Sequence, residues 1–195
     1  MELLKSKILS EGKVLSSSIL KVDSFLNHLI DPVLMDEMGK SFAEFFKDAG
    51  ITKVITIESG GIAPAYATAL HLNVPLLFAK KTTPSTMKDP LTASVHSFTK
   101  NTDYTLCAER AMLNSDDCVL FIDDFLANGQ AFLGVCALLE QAGAKLGGVG
   151  ICIEKAWQPG RSIVSESGVP LCVLASLKSM SPENGIIWDT ERESI

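Results

Sequence analysis

Short apolar runs alternate along this chain with segments of helical periodicity. The strand-like runs are VITI (54–57), PLLFA (75–79), CVLFI (118–122), LGGVGICI (146–153) and VPLCVLASL (169–177). Helical patterns lie between them, over 62–72 and near 130–141. Apolar runs without polar alternation are typical of strands buried on both faces, and intervening helices are typical of parallel connections. The sequence therefore predicts an α/β fold with a central, mostly parallel sheet flanked by helices.

The N-terminal part adds two amphipathic helices and an extended piece. Residues 3–10 carry apolar side chains at helical spacing, and residues 19–22 are extended. Asp31-Pro32 is a helix start signal, and apolar residues then recur at helical spacing until Gly50 ends the pattern. In parallel sheets ligands bind at the carboxyl edge of the strands. The loops after residues 57, 122 and 153 are therefore the candidate sites.

Size, charge and cysteine usage limit the classes of protein to consider. The 195 residues, 47% hydrophobic and 21% charged, are typical of one globular domain over 1–195. The net charge of −6 argues against a nucleic-acid partner. The uncharged stretch 59–79 contains two prolines and two glycines, which argues against a membrane span. The five cysteines form no C-x-x-C pair, and the N-terminus has no long apolar stretch, so we expect a cytoplasmic protein.

The segment VLFIDDFLANGQA (119–131) is the most informative in the chain. A buried strand delivers Asp123 and Asp124, and Gly129 then allows a tight turn into a helix. The unpaired amides at a helix start favour a phosphate, whereas the two carboxylates need hydroxyl donors or a divalent cation. A sugar phosphate satisfies both demands. The alternative is a pair of acids that only caps the helix.

This segment resembles the signature of type I phosphoribosyltransferases for 5-phosphoribosyl-1-pyrophosphate (PRPP): four apolar residues, an acid pair and a small-residue phosphate loop. Further segments resemble the bacterial xanthine phosphoribosyltransferases of that family, over almost the whole chain. They are KVDSFLNHLIDP (21–32), TIESGGIAPA (56–65), LTASVHSFTK (91–100) and IEKAWQPG (153–160). The resemblance implies the type I fold and a purine-salvage enzyme that converts PRPP and xanthine to xanthosine 5′-monophosphate and pyrophosphate.

The resemblance also assigns the contacts with PRPP. It places the catalytic residues Asp123 and Asp124 on the ribose 2′ and 3′ hydroxyls. It places the 5′-phosphate on the backbone of Ala127, Asn128, Gly129, Gln130 and Ala131.

The pyrophosphate falls, by the same resemblance, on the loop Ser59-Gly60-Gly61. That loop is rich in amides but contains no Lys or Arg, and it can instead be an ordinary glycine-rich turn. Lys80 and Lys81 follow the next strand and either supply the missing positive charge or are solvated surface lysines.

Purine recognition is assigned to residues from three parts of the chain. Lys155 follows a buried strand, and its ammonium group, which only donates, favours a 6-oxo over a 6-amino purine. For the second carbonyl of xanthine the resemblance points to Asn27 and to the backbone at Leu20. Phe125 and Trp157 are candidates to stack on the base, with an ordinary core position as the alternative for each.

The resemblance further implies a flexible hood over 81–103, a small base-binding hood from the N-terminal segment, and a homodimer. Mg²⁺ is expected as a cofactor, bound mainly through PRPP and its pyrophosphate. No metal site built from side chains alone is expected, because His28, His71 and His96 lack metal-ligand spacing. The alternative for 81–103 is an inert β-hairpin.

The sequence departs from its family in the phosphate loop. Many 6-oxopurine relatives carry an aspartate there, a candidate general base, where this chain has Ala127. Xanthine is more acidic than guanine or hypoxanthine, which offsets the loss in part. Asn128 and Gln130 replace the hydroxyl and small or basic residues common in other members, so amide side chains can join the phosphate contacts.

Other functions stay open at this point. A 6-oxopurine enzyme that prefers guanine or hypoxanthine fits the same residues. A regulator that senses PRPP or purine nucleotides on the same fold needs a DNA-binding segment, and the residues before Ser24 are too few and not basic enough for one. A Rossmann dehydrogenase is disfavoured because the chain contains no G-x-G-x-x-G.

Overall fold

The computed structural model describes residues 1–97 and 102–194. Its helices are α1 (Glu2–Glu11), α2 (Pro32–Phe46), α3 (Ile62–Leu72), α4 (Gln130–Ala142) and α5 (Gly160–Glu166). Its strands are β1 (Lys13–Val14), β2 (Leu20–Lys21), β3 (Lys53–Ile57), β4 (Leu76–Ala79), β5 (Pro90–Ser97), β6 (Thr102–Glu109), β7 (Cys118–Leu126), β8 (Lys145–Lys155), β9 (Leu171–Ser181) and β10 (Gly185–Trp188). Short helical turns cover Asp23–Asn27, Arg110–Met112 and Thr190–Arg192.

Six strands form the central sheet, in the order β10-β9-β8-β7-β3-β4. Every neighbouring pair is parallel except β9 with β10, which pair antiparallel at one edge. Two small antiparallel pairs, β1 with β2 and β5 with β6, lie outside this sheet. The predicted α/β architecture with a mostly parallel sheet is confirmed.

The sheet is buried on both faces. In β7, Leu120 and Ile122 belong to a core formed with α1, α2 and α3, whereas Val119 and Phe121 belong to a core formed with α4, α5 and the β5–β6 hairpin. Successive side chains of a strand point to opposite faces, so a strand between two cores must be apolar at every position. This explains the continuous apolar run that the sequence shows at 118–122.

The second core fixes the β5–β6 hairpin to the body of the protein. Val95 and Leu106, from its two strands, pack so closely on α4 that a β-carbon at Gly134 would lie 2.5 Å and 2.7 Å from them. Leu91 and Ala108 are buried in the same core. The base of the predicted hood is therefore a packed hairpin, while residues 98–101 of it lie outside the described residues.

Local sequence signals account for the start of α2. Asp31 caps α2 by accepting hydrogen bonds from the amides of Val33 (3.0 Å) and Leu34 (3.2 Å), and Pro32 occupies the first helical position. The helix ends at Phe46, a few residues before the expected stop at Gly50.

All five cysteines are free thiols. Within residues 1–97 and 102–194, no helix has both the length and the apolar character needed to cross a bilayer.

Candidate active site

The acid pair lies near the carboxyl end of β7, inside the strand rather than after it. Asp123 is buried, with 8% of its surface exposed, and it pairs with Ile151 of β8. Its Oδ1 accepts a hydrogen bond from the amide of Asp124 at 3.0 Å, and Asp124 Oδ1 accepts one from the amide of Phe125 at 3.0 Å. The central strand thus holds two carboxylates in fixed orientations at the ligand edge of the sheet.

The glycine loop, residues 58–61, connects β3 to α3 and lies directly against this pair. A β-carbon at Gly60 would lie 2.1 Å from Asp124 Oδ2, and one at Gly61 would lie 2.2 Å from Thr56 Oγ1 and 3.0 Å from Asp123 Oδ1. Such distances are well inside van der Waals contact, so a β-carbon at either position would force the loop or the neighbouring side chains to move. The bond between Glu58 and Ser59 is cis. The close approach brings the backbone of this loop within reach of whatever the carboxylates hold.

Two adjoining chambers open at this edge. The first, the acid chamber, has a volume of about 240 Å³. Its walls include Asp123, Asp124, the glycine loop, Lys81 and Asn27. The acid pair, the loop assigned to pyrophosphate and one of the two candidate cations therefore meet around one space.

The second, the turn chamber, has a volume of about 130 Å³ and is lined by all of the β7–α4 turn, Ala127–Ala131. Gly129 in this turn has a φ of +76°, the left-handed backbone that glycine adopts without strain, and α4 starts at the next residue. The Ala127 carbonyl accepts a hydrogen bond from the Gly160 amide at 2.9 Å, which ties the turn to the start of α5. Asp123 lines both chambers, so the turn and the acid pair border adjoining spaces.

The side chains of the two candidate lysines, Lys80 and Lys81, lie in different cavities. Lys81 lines the acid chamber, and its Nζ lies 5.5 Å from the centre of the Tyr104 ring. The side chain of Lys80 lies 5.6 Å from the Phe78 ring centre instead and lines a different groove, with Met87 on its wall. Lys80 pairs through its backbone with Cys107 of β6. Alternation of side chains at the end of β4 sends the two neighbours to opposite sides.

Three of the residues assigned to the purine lie near the acid pair: Asn27 lines the acid chamber, Phe125 lines the turn chamber, and Lys155 contacts Phe125. Asn27 Nδ2 donates to Asp124 Oδ2 at 3.3 Å. Lys155 Nζ lies 5.2 Å from the centre of the Phe125 ring and donates to the Ser18 carbonyl at 2.7 Å, in the loop between β1 and β2. The N-terminal segment therefore contacts the end of β8 directly.

Two other assigned residues are more peripheral. Leu20 is buried in β2 and belongs to the core beneath Phe125, and Trp157 is 40% exposed in the turn after β8. Neither lines the acid chamber or the turn chamber.

Burial sets the electrostatics of the site. Desolvation, followed by the charge of Asp124, raises the pKa of Asp123 well above its ordinary value, and Lys81 opposes the shift. Burial also lowers the pKa of Lys155, against the attraction of Asp124. A bound group that donates hydrogen bonds or carries positive charge near the acid pair would favour the ionised carboxylates.

Three residues of the site were assigned no role in ligand binding from the sequence, although Glu58 and His96 lie in segments that resemble the family. Glu58 Oε1 accepts from the Lys81 amide at 2.6 Å, which fixes the start of the segment after β4. Tyr104 lines both chambers, and burial raises the pKa of its phenol. His96 lines the turn chamber, and its Nδ1 lies 2.7 Å from Asp103 Oδ1. Tyr104 and His96 come from the hairpin, whose pairing brings them over the β7–α4 turn.

In the described parts of the chain, no group of three or more His, Cys, Asp or Glu side chains is arranged to hold a metal ion. The acid pair, with its two carboxylates next to the glycine loop, offers oxygen ligands to a hard cation only in combination with ligands from another molecule.

A sequence model of the phosphoribosyl transferase domain matches residues 30–161. The chain belongs to the phosphoribosyltransferase family. The matched region contains the glycine loop, the hairpin, the acid pair and the β7–α4 turn. The family expected from the sequence is thereby confirmed.

Curated phosphoribosyltransferases resemble the chain over nearly its whole length. It is 55% identical over 182 residues to the xanthine phosphoribosyltransferase of Acinetobacter baumannii, which covers 93% of this chain and 95% of the relative. It is 51% identical over 195 residues to the xanthine phosphoribosyltransferase of Bacillus cereus, covering 100% of this chain and 98% of the relative.

Solved phosphoribosyltransferases share the fold. The adenine phosphoribosyltransferase of Rhodothermus marinus superposes with a TM-score of 0.72 at 22% identity, covering 91% of this chain and 100% of that one. The Trypanosoma brucei enzyme, solved with AMP, pyrophosphate and ribose-5-phosphate, superposes with a TM-score of 0.74 at 19% identity, covering 89% and 79%. The type I fold expected from the sequence is confirmed.

Proposed function

We propose that this phosphoribosyltransferase transfers the 5-phosphoribosyl group of PRPP to xanthine, giving xanthosine 5′-monophosphate and pyrophosphate in purine salvage. The observation that carries the proposal is the pair of adjoining chambers that share Asp123. One chamber offers the amides of a helix start for a phosphate, and the other offers carboxylates for hydroxyl groups and a glycine loop for a second anion. The curated relatives, at 51% and 55% identity, support xanthine as the acceptor.

In this arrangement the β7–α4 turn binds the 5′-phosphate, with the Asn128 and Gln130 side chains beside it. Asp123 and Asp124 accept hydrogen bonds from the ribose hydroxyls, and the glycine loop with Lys81 binds the pyrophosphate. The bond between ribose C1 and the pyrophosphate oxygen breaks as a purine ring nitrogen bonds to C1. The sugar then carries positive charge, which fixed carboxylates stabilise without having to reorganise.

Exclusion of water matters for such a cationic sugar, because water competes with the purine for C1. We assign this role to the β5–β6 hairpin, which presents Tyr104 and His96 to the turn chamber. The packing of Val95 and Leu106 on α4 sets the height of the hairpin above the turn.

Mg²⁺ fits the site as an ion held mainly by PRPP and its pyrophosphate. Asp123 and Asp124 are the oxygen donors that this chain would add, since Mg²⁺ usually takes one or two carboxylates together with substrate phosphates and water. When bound, the ion neutralises charge on the departing pyrophosphate.

For the base, Lys155 donates to the 6-oxo group and selects against a 6-amino group. Asn27 and the backbone at Leu20 face the second carbonyl of xanthine, and Phe125, beneath Lys155, supports the ring, with Trp157 at the outer rim. Ala127 offers no proton acceptor, so a purine that already arrives as an anion is the best substrate. Xanthine, the most acidic of the common oxopurines, meets that requirement.

We also infer that the enzyme works as a homodimer in the cytoplasm. The face formed by α3 and β4 exposes Tyr66 (62%), Leu70 (62%) and Phe78 (40%), and these line a broad groove with Ile30. Contiguous apolar surface of this kind is typical of an interface. The groove reaches Ser59 and Gly60 of the glycine loop, so a second copy bound there would lie next to the active site.

The experiment is a panel of xanthine, guanine, hypoxanthine and adenine, each with PRPP and Mg²⁺, followed by identification of the nucleotide product. We expect pyrophosphate release and xanthosine 5′-monophosphate with xanthine, and no reaction with adenine. Higher kcat/KM for guanine or hypoxanthine would assign the enzyme to another oxopurine. Binding of PRPP without consumption of any purine would favour a sensor of PRPP.

A further inference from the structure

The C-terminal segment, residues 189–194, runs along the outer side of β9. The Asp189 amide donates to the Ser176 carbonyl at 2.8 Å, and the Ser194 amide donates to the Val173 carbonyl at 3.0 Å. The segment follows β10, which pairs with the later part of β9, and so continues that edge of the sheet alongside the earlier part. It is therefore held in a fixed position by backbone hydrogen bonds.

A buried carboxylate lies on β8 next to this segment. Glu154 is only 1% exposed, yet it accepts a two-pronged ion pair from Arg161 of α5, with both nitrogen–oxygen distances at 2.7 Å. Its partner across the sheet, Ser176, donates a third hydrogen bond at 2.7 Å. A carboxylate buried at this depth is stable only because these donors surround it.

Arg192 joins the C-terminal segment to this cluster. Its backbone carbonyl accepts from Arg161 Nη2 at 2.9 Å, and its own Nη1 lies 3.8 Å from Glu154 Oε1. The same Nη1 donates to the carbonyl of Ala156 at 3.1 Å, while Nε pairs with Asp189 at 3.3 Å. The guanidinium thus spans from the edge of the sheet to the turn that follows β8.

The Ala156 carbonyl links Arg192 to the turn that follows β8. Ala156 lies between Lys155 and Trp157, the two residues of this turn that the proposed function assigns to the purine. The Ala156 amide donates to Leu177 at 2.8 Å, and the Gln158 amide donates to the Lys155 carbonyl at 2.9 Å. The backbone of the turn is therefore fixed on both sides of Ala156, with Arg192 supplying the only side-chain bond to that carbonyl among the described residues.

We propose that Arg192 is a positioning residue for purine recognition: through Ala156 and the Glu154–Arg161 pair it fixes the direction in which Lys155 leaves the end of β8. The inference rests on the proposed function, since it needs Lys155 to contact the base. Lys155 extends from this turn to the Phe125 ring and the Ser18 carbonyl, so a small rotation of its backbone displaces its ammonium group. The proposed phosphate and sugar contacts lie in the β7–α4 turn, on β7 and in the glycine loop, and the side chain of Arg192 bonds to none of these among the described residues. The turn is tied to α5 through the backbones of Ala127 and Gly160, which Arg192→Ala leaves in place.

A purely structural role for Arg192 predicts a different result from a positioning role. If Arg192 only stabilises the C-terminal segment, its loss lowers the melting temperature and affects both substrates equally. If it positions Lys155, its loss raises the KM for the purine and leaves the KM for PRPP unchanged. A change in the KM for the purine without a change in the KM for PRPP therefore distinguishes the positioning role from the structural one.

The chain offers a matched control in Arg110. Its side chain is 45% exposed, against 41% for Arg192, and it makes an ion pair with Asp89 at 3.0 Å and a bond to the backbone carbonyl of Gln141 at 3.0 Å, whereas Arg192 makes a second ion pair, with Glu154. It lies beside the hairpin, away from the turn after β8. Arg110→Ala therefore removes a comparable ion pair and a comparable carbonyl contact without touching Lys155.

The experiment measures KM for xanthine and for PRPP, together with Tm, in Arg192→Ala, Arg192→Lys and Arg110→Ala. We expect Arg192→Ala to raise the KM for xanthine about fivefold to twentyfold, with the KM for PRPP within about twofold of wild type. Arg192→Lys keeps the positive charge but not the several donors of the planar guanidinium group, so its KM for xanthine should lie between those of wild type and Arg192→Ala. Arg110→Ala should change neither KM. Equal increases for both substrates, or no change for xanthine, would overturn the inference.

Two further measurements keep the outcomes distinct. If Arg192→Ala is poorly folded, Arg192→Lys and Arg192→Gln are compared instead, and an unchanged KM for xanthine in both overturns the inference. Lys155→Met, assayed in parallel, tests the proposed function itself. If Lys155→Met loses oxopurine turnover and the Arg192 variants do not, only the positioning role fails. If the wild type turns over no purine, the proposed function fails and the positioning role with it.

Discussion

The side-chain amide of Asn27 donates a hydrogen bond to Asp124, with 3.3 Å between Nδ2 and Oδ2. The two residues are far apart in sequence, one in the helical turn Asp23–Asn27 and the other in β7. In the proposed function Asn27 recognises the base and Asp124 recognises the ribose. The bond therefore couples the N-terminal segment, which covers the base, to the carboxylate that holds the sugar.

Replacement of Asn27 separates these two roles. Asn27→Ala should lower kcat/KM for xanthine about threefold to tenfold relative to guanine, because one neutral hydrogen bond to the second carbonyl is lost. Asn27→Asp should in addition raise the KM for PRPP, since it places a third carboxylate beside Asp124. Steady-state kinetics with both purines and with varied PRPP give the comparison. Equal losses for xanthine and guanine in Asn27→Ala would remove Asn27 from base recognition.

The contact between the glycine loop and the acid pair predicts a large effect from one methyl group. In Gly60→Ala the new β-carbon would lie 2.1 Å from Asp124 Oδ2, so either the loop or the carboxylate must move. We expect kcat/KM for PRPP to fall at least about a hundredfold, the scale set by a displacement near 1 Å in a catalytic site. Calorimetric titration of PRPP with Mg²⁺ should show weaker binding.

A second glycine controls for strain alone. Gly185, at the start of β10, has a φ of +69° and no neighbour within 4 Å of an added β-carbon. Gly185→Ala should cost about 1 kcal/mol of stability and leave catalysis unchanged. Activity in Gly60→Ala close to that of wild type would contradict the assigned contact.

The buried acid pair makes stability depend on pH. Burial and the charge of Asp124 raise the pKa of Asp123 above its ordinary value of 3.8. The folded state then holds a proton that the unfolded state has released, so this group's contribution to the free energy of unfolding falls as the pH rises from about 4 through the raised pKa. An asparagine at this position does not titrate, so Asp123→Asn removes this fall in the free energy of unfolding.

Without ligands, Asp123→Asn should therefore be more stable than wild type at pH 8, and the difference should shrink toward pH 4. Denaturant unfolding across that pH range measures it. The same variant should be nearly inactive, because Asp123 accepts from a ribose hydroxyl in the proposed function. Parallel stability curves at all pH values would contradict the shifted pKa.

The proposed dimer places the α3–β4 face between two copies. Leu70→Glu puts a charge in that face and should yield monomers in sedimentation, with reduced activity because the face adjoins the glycine loop. Leu9 of α1 is equally exposed, at 62%, and Leu9→Glu is the matched control that should leave the assembly unchanged. A Leu70→Glu protein that sediments like wild type would place the interface elsewhere.

The parts of the fold predictable from the sequence are those with a strong local pattern. Leu120 and Ile122 face one core, and Val119 and Phe121 face the other. A run that is apolar at every position predicts burial on both faces of the strand. The capping of α2 by Asp31 is similarly local. By contrast, β6 was not predicted, because its first residues are polar and it forms a strand by pairing with β5. The helix α5 was also missed, because seven residues are too few to show a helical period.

The site was predictable to the extent that its groups lie at strand ends. The positions of the acid pair and the glycine loop followed from the order of strands, whereas their roles rested on the resemblance to the family. His96 lies within the expected hood, but the placement of its side chain and that of Tyr104 over the β7–α4 turn depends on the packing of the hairpin, which no spacing in the sequence indicates. Arg192 was missed for the same reason, since only the path of the last residues along β9 brings it to Ala156.

The most direct test of the central claim is a crystal structure of the protein with ribose 5-phosphate and Mg²⁺. The account predicts the phosphate on the amides of the β7–α4 turn, Ala127–Ala131, with the 2′ and 3′ hydroxyls within hydrogen-bond distance of Asp123 and Asp124. A sugar phosphate bound elsewhere on the protein, with this turn empty in crystals where lattice contacts leave it accessible, would contradict it.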